Sequence, residues 1–130
     1  MAPDELRAAA EQALCEATGA SGVVRLCARC GSSAHGQPRL LGSALTASMS
    51  YADGVAVVAW GDGPLGVDVE ASRDDVNIEE WTRAEALAKA TGLGLVAPSL
   101  PDLPVVRLEV PDGYVAHSAG AIAGWRVVPL

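Results

Sequence analysis

Residues 54–70 read GVAVVAWGDGPLGVDVE, an unbroken apolar run, a Gly-Asp-Gly-Pro turn, and an alternating return. Val55 to Trp60 carries no polar residue, the signature of a strand covered on both faces. After the turn, Leu65, Val67 and Val69 alternate with Gly66, Asp68 and Glu70, so one face is apolar and the other carries two carboxylates. The pattern predicts a hairpin of two strands, 54–60 and 65–70, with its valines in the core. Residues two apart on one strand face lie roughly 6–7 Å from each other. Asp68 and Glu70 are therefore placed to share a hard divalent cation such as Mg²⁺, or to form the solvent face of an edge strand.

The remaining elements arrange themselves around this pair. Residues 4–18 have an apolar stripe of Leu6, Ala10, Ala13, Leu14 and Ala17, and Gly19 suits the helix stop. Residues 23–27 and 44–50 read as extended, separated by a Gly-, Ser- and Pro-rich loop running through Gln37-Pro38. Asn77 followed by Glu80 forms a capping-box pattern for a second helix reaching about Thr91, with Gly92 and Gly94 ending it. Strands near 105–110, 114–119 and 124–128 form a C-terminal meander, turned at Pro111-Asp112-Gly113. One domain spanning residues 1–130 is expected, of α+β class, with an antiparallel sheet packed by helices.

Half of the residues are apolar, which sets the chain among folded domains. A net charge of −7 argues against nucleic acid or an anionic membrane as the principal partner. No segment has the length and apolarity of a membrane span, and the acidic, amphipathic start does not read as a signal peptide. Three cysteines without a secretory leader point to a reducing, cytoplasmic setting.

Lys89 is the single lysine. It follows Glu85 by one helical turn, so the two share a helix face with Trp81. Taken alone this is a surface ion pair worth a few tenths of a kcal/mol. Brought against Asp68 and Glu70, it becomes three acids and a cation, a set able to hold a metal ion against a pyrophosphate.

The combination of GVDVE with WTRAEALAKATGLGL (residues 81–95) resembles the 4′-phosphopantetheinyl transferase superfamily, Sfp type. Gly36-Gln37-Pro38 sits where that family has Gly-Lys-Pro, Ser48-Met49-Ser50 where it has Ser-His-Ser, and Gly113-Tyr114-Val115-Ala116 resembles its late Gly-Tyr-x-Ala strand. The likeness implies a phosphopantetheinyl transferase-like fold and Mg²⁺-dependent transfer of 4′-phosphopantetheine from coenzyme A to the serine of an acyl or peptidyl carrier protein. It also implies that Asp68, Glu70 and Glu85 bind the metal and that Glu85 or a metal-bound water acts as base. Lys89 would serve the leaving phosphate, and Gln37, Pro38, Ser48, Met49 and Ser50 would lie along the coenzyme.

The chain departs from the family at the groups that grip phosphate. Gln37, Met49 and Ala84 replace a lysine, a histidine and a lysine, and the segment between Glu70 and Trp81 is shortened. Each lost cationic contact removes about 1.5–3 kcal/mol of charge-assisted hydrogen bonding unless arginines such as Arg39 or Arg83 replace it. The shortening would expose apolar surface that a homodimer could cover. Two further readings follow. One is a fold redirected to acid–base work on a small biosynthetic intermediate without coenzyme A, with His117 as a gained acid–base group. The other is a noncatalytic carrier-protein-binding module. Cys27, Cys30 and His35 have zinc-like spacing but lack a fourth ligand, so a structural loop is the preferred reading there.

Overall fold

The computed structural model describes residues 1–26, 36–74, 77–92 and 99–129. Cys27, Cys30 and His35 lie outside the described residues, as does Gly94. The described chain is α+β: antiparallel sheets and two helices. Helix α1 (Pro3–Thr18) leads into β1 (Gly22–Leu26) and β2 (Gln37–Leu41), which pair with each other. Strands β3 (Thr46–Ala52), β4 (Val55–Gly61), β5 (Leu65–Ala71), helix α2 (Ile78–Ala90), β6 (Val105–Leu108), β7 (Tyr114–Gly120) and β8 (Gly124–Val128) follow. They build two three-stranded antiparallel sheets, ordered β3-β4-β8 and β5-β7-β6.

Local chemistry accounts for the helix ends. Gly19 takes the left-handed conformation with φ 76° and closes α1. Asn77 caps α2: its side-chain oxygen accepts from the Glu80 amide, while its side-chain nitrogen donates to the Glu80 carboxylate. Both helices match their sequence expectation to within a residue or two.

Strand pairing differs from the expectation in two places. Strands β4 and β5 are not a hairpin, because β4 pairs with β3 and β8 while β5 pairs with β7. The predicted C-terminal meander breaks likewise: β6 and β7 pair, but β8 crosses to β4. Each short link, 62–64 and 121–123, thus carries the chain from one sheet to the other. The two links pack together closely enough that a Cβ on Gly61 would sit 2.6 Å from the Ala121 carbonyl oxygen. A Cβ on Gly120, whose φ is 89°, would sit 2.2 Å from the Pro64 carbonyl oxygen. Strand β2 also falls where a loop was expected, since its Gln-Pro start reads as a turn from sequence alone.

The core has two principal parts. Leu6, Ala10 and Leu14 of α1 cover Ala47, Met49, Ala56, Val58 and Val128 on one side of β3-β4-β8. The opposite side of β4 presents Val55, Val57 and Ala59 to Leu65, Val67 and Val69 of β5, with Leu108 and Ala116. Helix α2 lies on the other face of β5-β7-β6 through Ala86 and Ala90 against Ala119. Small residues let it come close. A Cβ on Gly66 would stand 2.2 Å from the Ala86 carbonyl oxygen and 2.8 Å from the Ala90 nitrogen.

Candidate functional site

That close approach of α2 determines where the charged side chains of β5 go. With Val67 and Val69 committed to the core, Asp68 and Glu70 face the helix side. Asp68 is only 4% exposed. Its Oδ1 accepts from the Ser50 hydroxyl at 3.1 Å and lies 3.4 Å from Lys89 Nζ. Its Oδ2 is buried and makes no hydrogen bond with the described residues. Lys89 Nζ also donates to the Met49 carbonyl oxygen at 3.3 Å, so the ammonium is held between β3 and β5. Glu70 accepts from the Trp81 indole nitrogen at 3.3 Å, while the Trp81 ring stays largely exposed.

The electrostatics follow from this crowding. Burial pushes the Asp68 carboxyl up from its ordinary 3.8 to about 6; Lys89 and the Ser50 hydrogen bond oppose the rise, and Glu70 and Glu85 add to it. Burial also raises Glu85, with Lys89 opposing and Glu70 reinforcing. Asp68, Glu70, Glu85 and Lys89 thus form one electrostatically coupled cluster between β5 and α2. Among the described residues, no three His, Cys, Asp or Glu side chains are gathered into a metal-holding group as they stand. The donors are nevertheless hard carboxylate oxygens, the type Mg²⁺ takes, and the unbonded Asp68 Oδ2 is an atom that a cation would satisfy.

The flanking residues have structural work of their own. Ser48 and Ser50 are buried, and their hydroxyls accept from the amides of Val67 at 3.1 Å and Val69 at 3.0 Å. They join the two sheets where β3 runs beside β5 without a backbone ladder. Met49 alternates to the α1 side, buried in that core. Gln37 opens β2, and its side-chain oxygen would lie 3.0 Å from a Cβ on Gly92, just past the end of α2. Pro38 is buried. Ala84 is half-buried on α2 and brings no charge.

His117 is the feature that the resemblance did not account for. It pairs in register with Asp68 across β5 and β7 and is 2% exposed beneath α2. Its Nδ1 lies 2.6 Å from Thr82 Oγ1, and its Nε2 lies 3.4 Å from a Glu79 carboxylate oxygen. Glu79 also takes the Arg107 Nε–H at 2.8 Å. Burial holds His117 below the ordinary histidine value of 6.5; Glu79 pulls upward, and Arg83 and Arg107 push further down. A second polar network, Thr82–His117–Glu79–Arg107, therefore pins the first turns of α2 to β6 and β7. The period-2 pattern of β7 places His117 on the face of Ala119, but only the pairing reveals what lies opposite.

No protein-family model matches the chain, and neither a curated protein nor a solved structure does.

Proposed function

We propose that this chain has a phosphopantetheinyl transferase-like fold and catalyses Mg²⁺-dependent transfer of 4′-phosphopantetheine from coenzyme A to a carrier-protein serine. The carrying observation is the meeting of Asp68, Glu70, Glu85 and Lys89 in one cluster, with Asp68 Oδ2 buried and without a hydrogen bond among the described residues. Asp68, Glu70 and Glu85 would hold the Mg²⁺, which when bound stabilises charge on phosphate oxygens. In the transfer, the carrier serine Oγ forms a bond to the β-phosphorus and the bond to 3′,5′-ADP breaks. Glu85, its carboxyl raised by burial, takes the serine proton. Lys89, already oriented by the Met49 carbonyl, donates to the leaving phosphate. Calorimetric titration of coenzyme A with and without Mg²⁺, paired with mass spectrometry of a carrier protein, tests this. Micromolar, Mg²⁺-dependent binding and phosphopantetheinylation are expected, and absence of binding at millimolar coenzyme A would overturn the reading.

A second reading draws on the Asp68 carboxyl near 6 and on His117 directly across the sheet from it. An acid of that strength suits proton donation near neutrality, on a small biosynthetic intermediate rather than on coenzyme A. Its test is the same titration, because it requires no coenzyme A affinity.

A further inference from the structure

Trp81 is 47% exposed, so burial of its ring does not account for its place on α2. Its one polar side-chain atom is engaged. The indole N–H donates to Glu70 Oε1 at 3.3 Å, and among the described residues no other hydrogen bond or ion pair reaches the Glu70 carboxylate. We propose that Trp81 is a positioning residue for the cation site: its indole N–H holds the Glu70 carboxylate on the side where Asp68 and Glu85 meet it. The inference rests on the Mg²⁺ ligands of the transferase reading and adds a residue outside that set.

Glu70 needs a tether because its neighbours repel it. It is half-buried near the end of β5, and its charge acts on both Asp68 and Glu85. A flexible side chain in that place relieves like-charge repulsion by turning out to water. Lys89 does not hold it back, since the ammonium is committed to Asp68 and to the Met49 carbonyl oxygen. The indole is also the right kind of donor. A lysine or arginine there would neutralise Glu70 and compete with a cation, whereas a neutral N–H orients the carboxylate and leaves its charge to the metal ion. Arg73 lines the same groove as Trp81, yet no ion pair joins it to Glu70. Trp81 is itself fixed, because its amide donates to the Asn77 carbonyl oxygen at 3.1 Å in the first turn of α2. It stands one turn before Glu85 on the same helix face.

The test titrates Mg²⁺ alone into the intact protein and into Trp81→Phe, followed by calorimetry and by NMR of the amide and indole N–H groups. Trp81→Phe keeps an aromatic ring and loses the donor. In the intact protein, Mg²⁺ should move the Trp81 indole resonance together with the Glu70 amide. Trp81→Phe should bind Mg²⁺ about 10-fold more weakly, as loss of a ligand's outer partner does. Its urea midpoint should stay near that of wild type, because the site is exposed. A variant that loses stability and Mg²⁺ affinity together shows a structural role and overturns the proposal. Unchanged affinity in Trp81→Phe, or an indole resonance that stays still while the Asp68 and Glu85 amides move, also overturns it and leaves the metal site standing. No Mg²⁺ binding by the intact protein at tens of millimolar overturns the metal site with it.

Discussion

Replacing Asp68 with Asn probes the cluster at its most buried charge. The Asp68 carboxyl rises from 3.8 to about 6 on folding, so the folded state holds the proton more tightly than the unfolded one. Ionisation therefore penalises the fold. The penalty builds as pH rises from 3.8 to 6 and is complete above, amounting to about 3 kcal/mol. Asp68→Asn keeps a neutral side chain at every pH and should stabilise the protein at pH 7.5 by about 1–3 kcal/mol. For a chain of this length that is up to roughly 10 °C in Tm. The difference between wild type and variant should shrink below pH 6 and vanish near pH 4, read by urea denaturation across the range. Mg²⁺ should stabilise the wild type at pH 7.5 and do less for the variant, because a bound cation offsets the same repulsion. A destabilised Asp68→Asn at pH 7.5, or pH profiles that run parallel, would refute the account of a strained carboxylate.

Three other outcomes are expected. Gly66→Ala places a methyl group 2.2 Å from the Ala86 carbonyl oxygen, so α2 must lift, at about 3 kcal/mol or more in denaturant unfolding. His117 titrates with the opposite sign to Asp68: its folded value lies below 6.5, so its contribution is lost as pH falls through 6.5, and Thr82→Val should remove about 1–3 kcal/mol at neutral pH by leaving Nδ1 unpaired. Glu85→Gln should lower phosphopantetheinyl transfer by at least about 100-fold while shifting stability by less than about 1 kcal/mol, since Glu85 is only half-buried; comparable activity in the variant would remove it as the base.

The helices and the polarity of β5 were legible from residues because their signals are local. Asn77 and Glu80 bond to each other, and Val67 and Val69 alternate with Asp68 and Glu70 over neighbouring positions. Strand partners were not legible. Gly61 to Pro64 has hairpin composition, yet the amides of Val67 and Val69 are bonded by Ser48 and Ser50 hydroxyls rather than by β4 carbonyls. A turn motif specifies how tightly the chain bends and not which sheet it enters. The acid–lysine cluster was readable because strand and helix periodicity each place two of its members.

The two sheet-switching links also govern the order in which this chain can acquire its structure. Neither β4 nor β5 can be satisfied by its chain neighbour across the link; Ala56 pairs with Val128, and Leu65 with Gly120. Ordering the central strands therefore requires the C-terminal residues, and the entropy of closing those long loops comes before most of the reward. Refolding on the millisecond-to-second scale follows, rather than the microseconds open to helical bundles. During synthesis, the unbroken apolar run of β4 leaves the ribosome well before β8 exists to cover its edge. That interval is when the nascent chain is most exposed to misassociation.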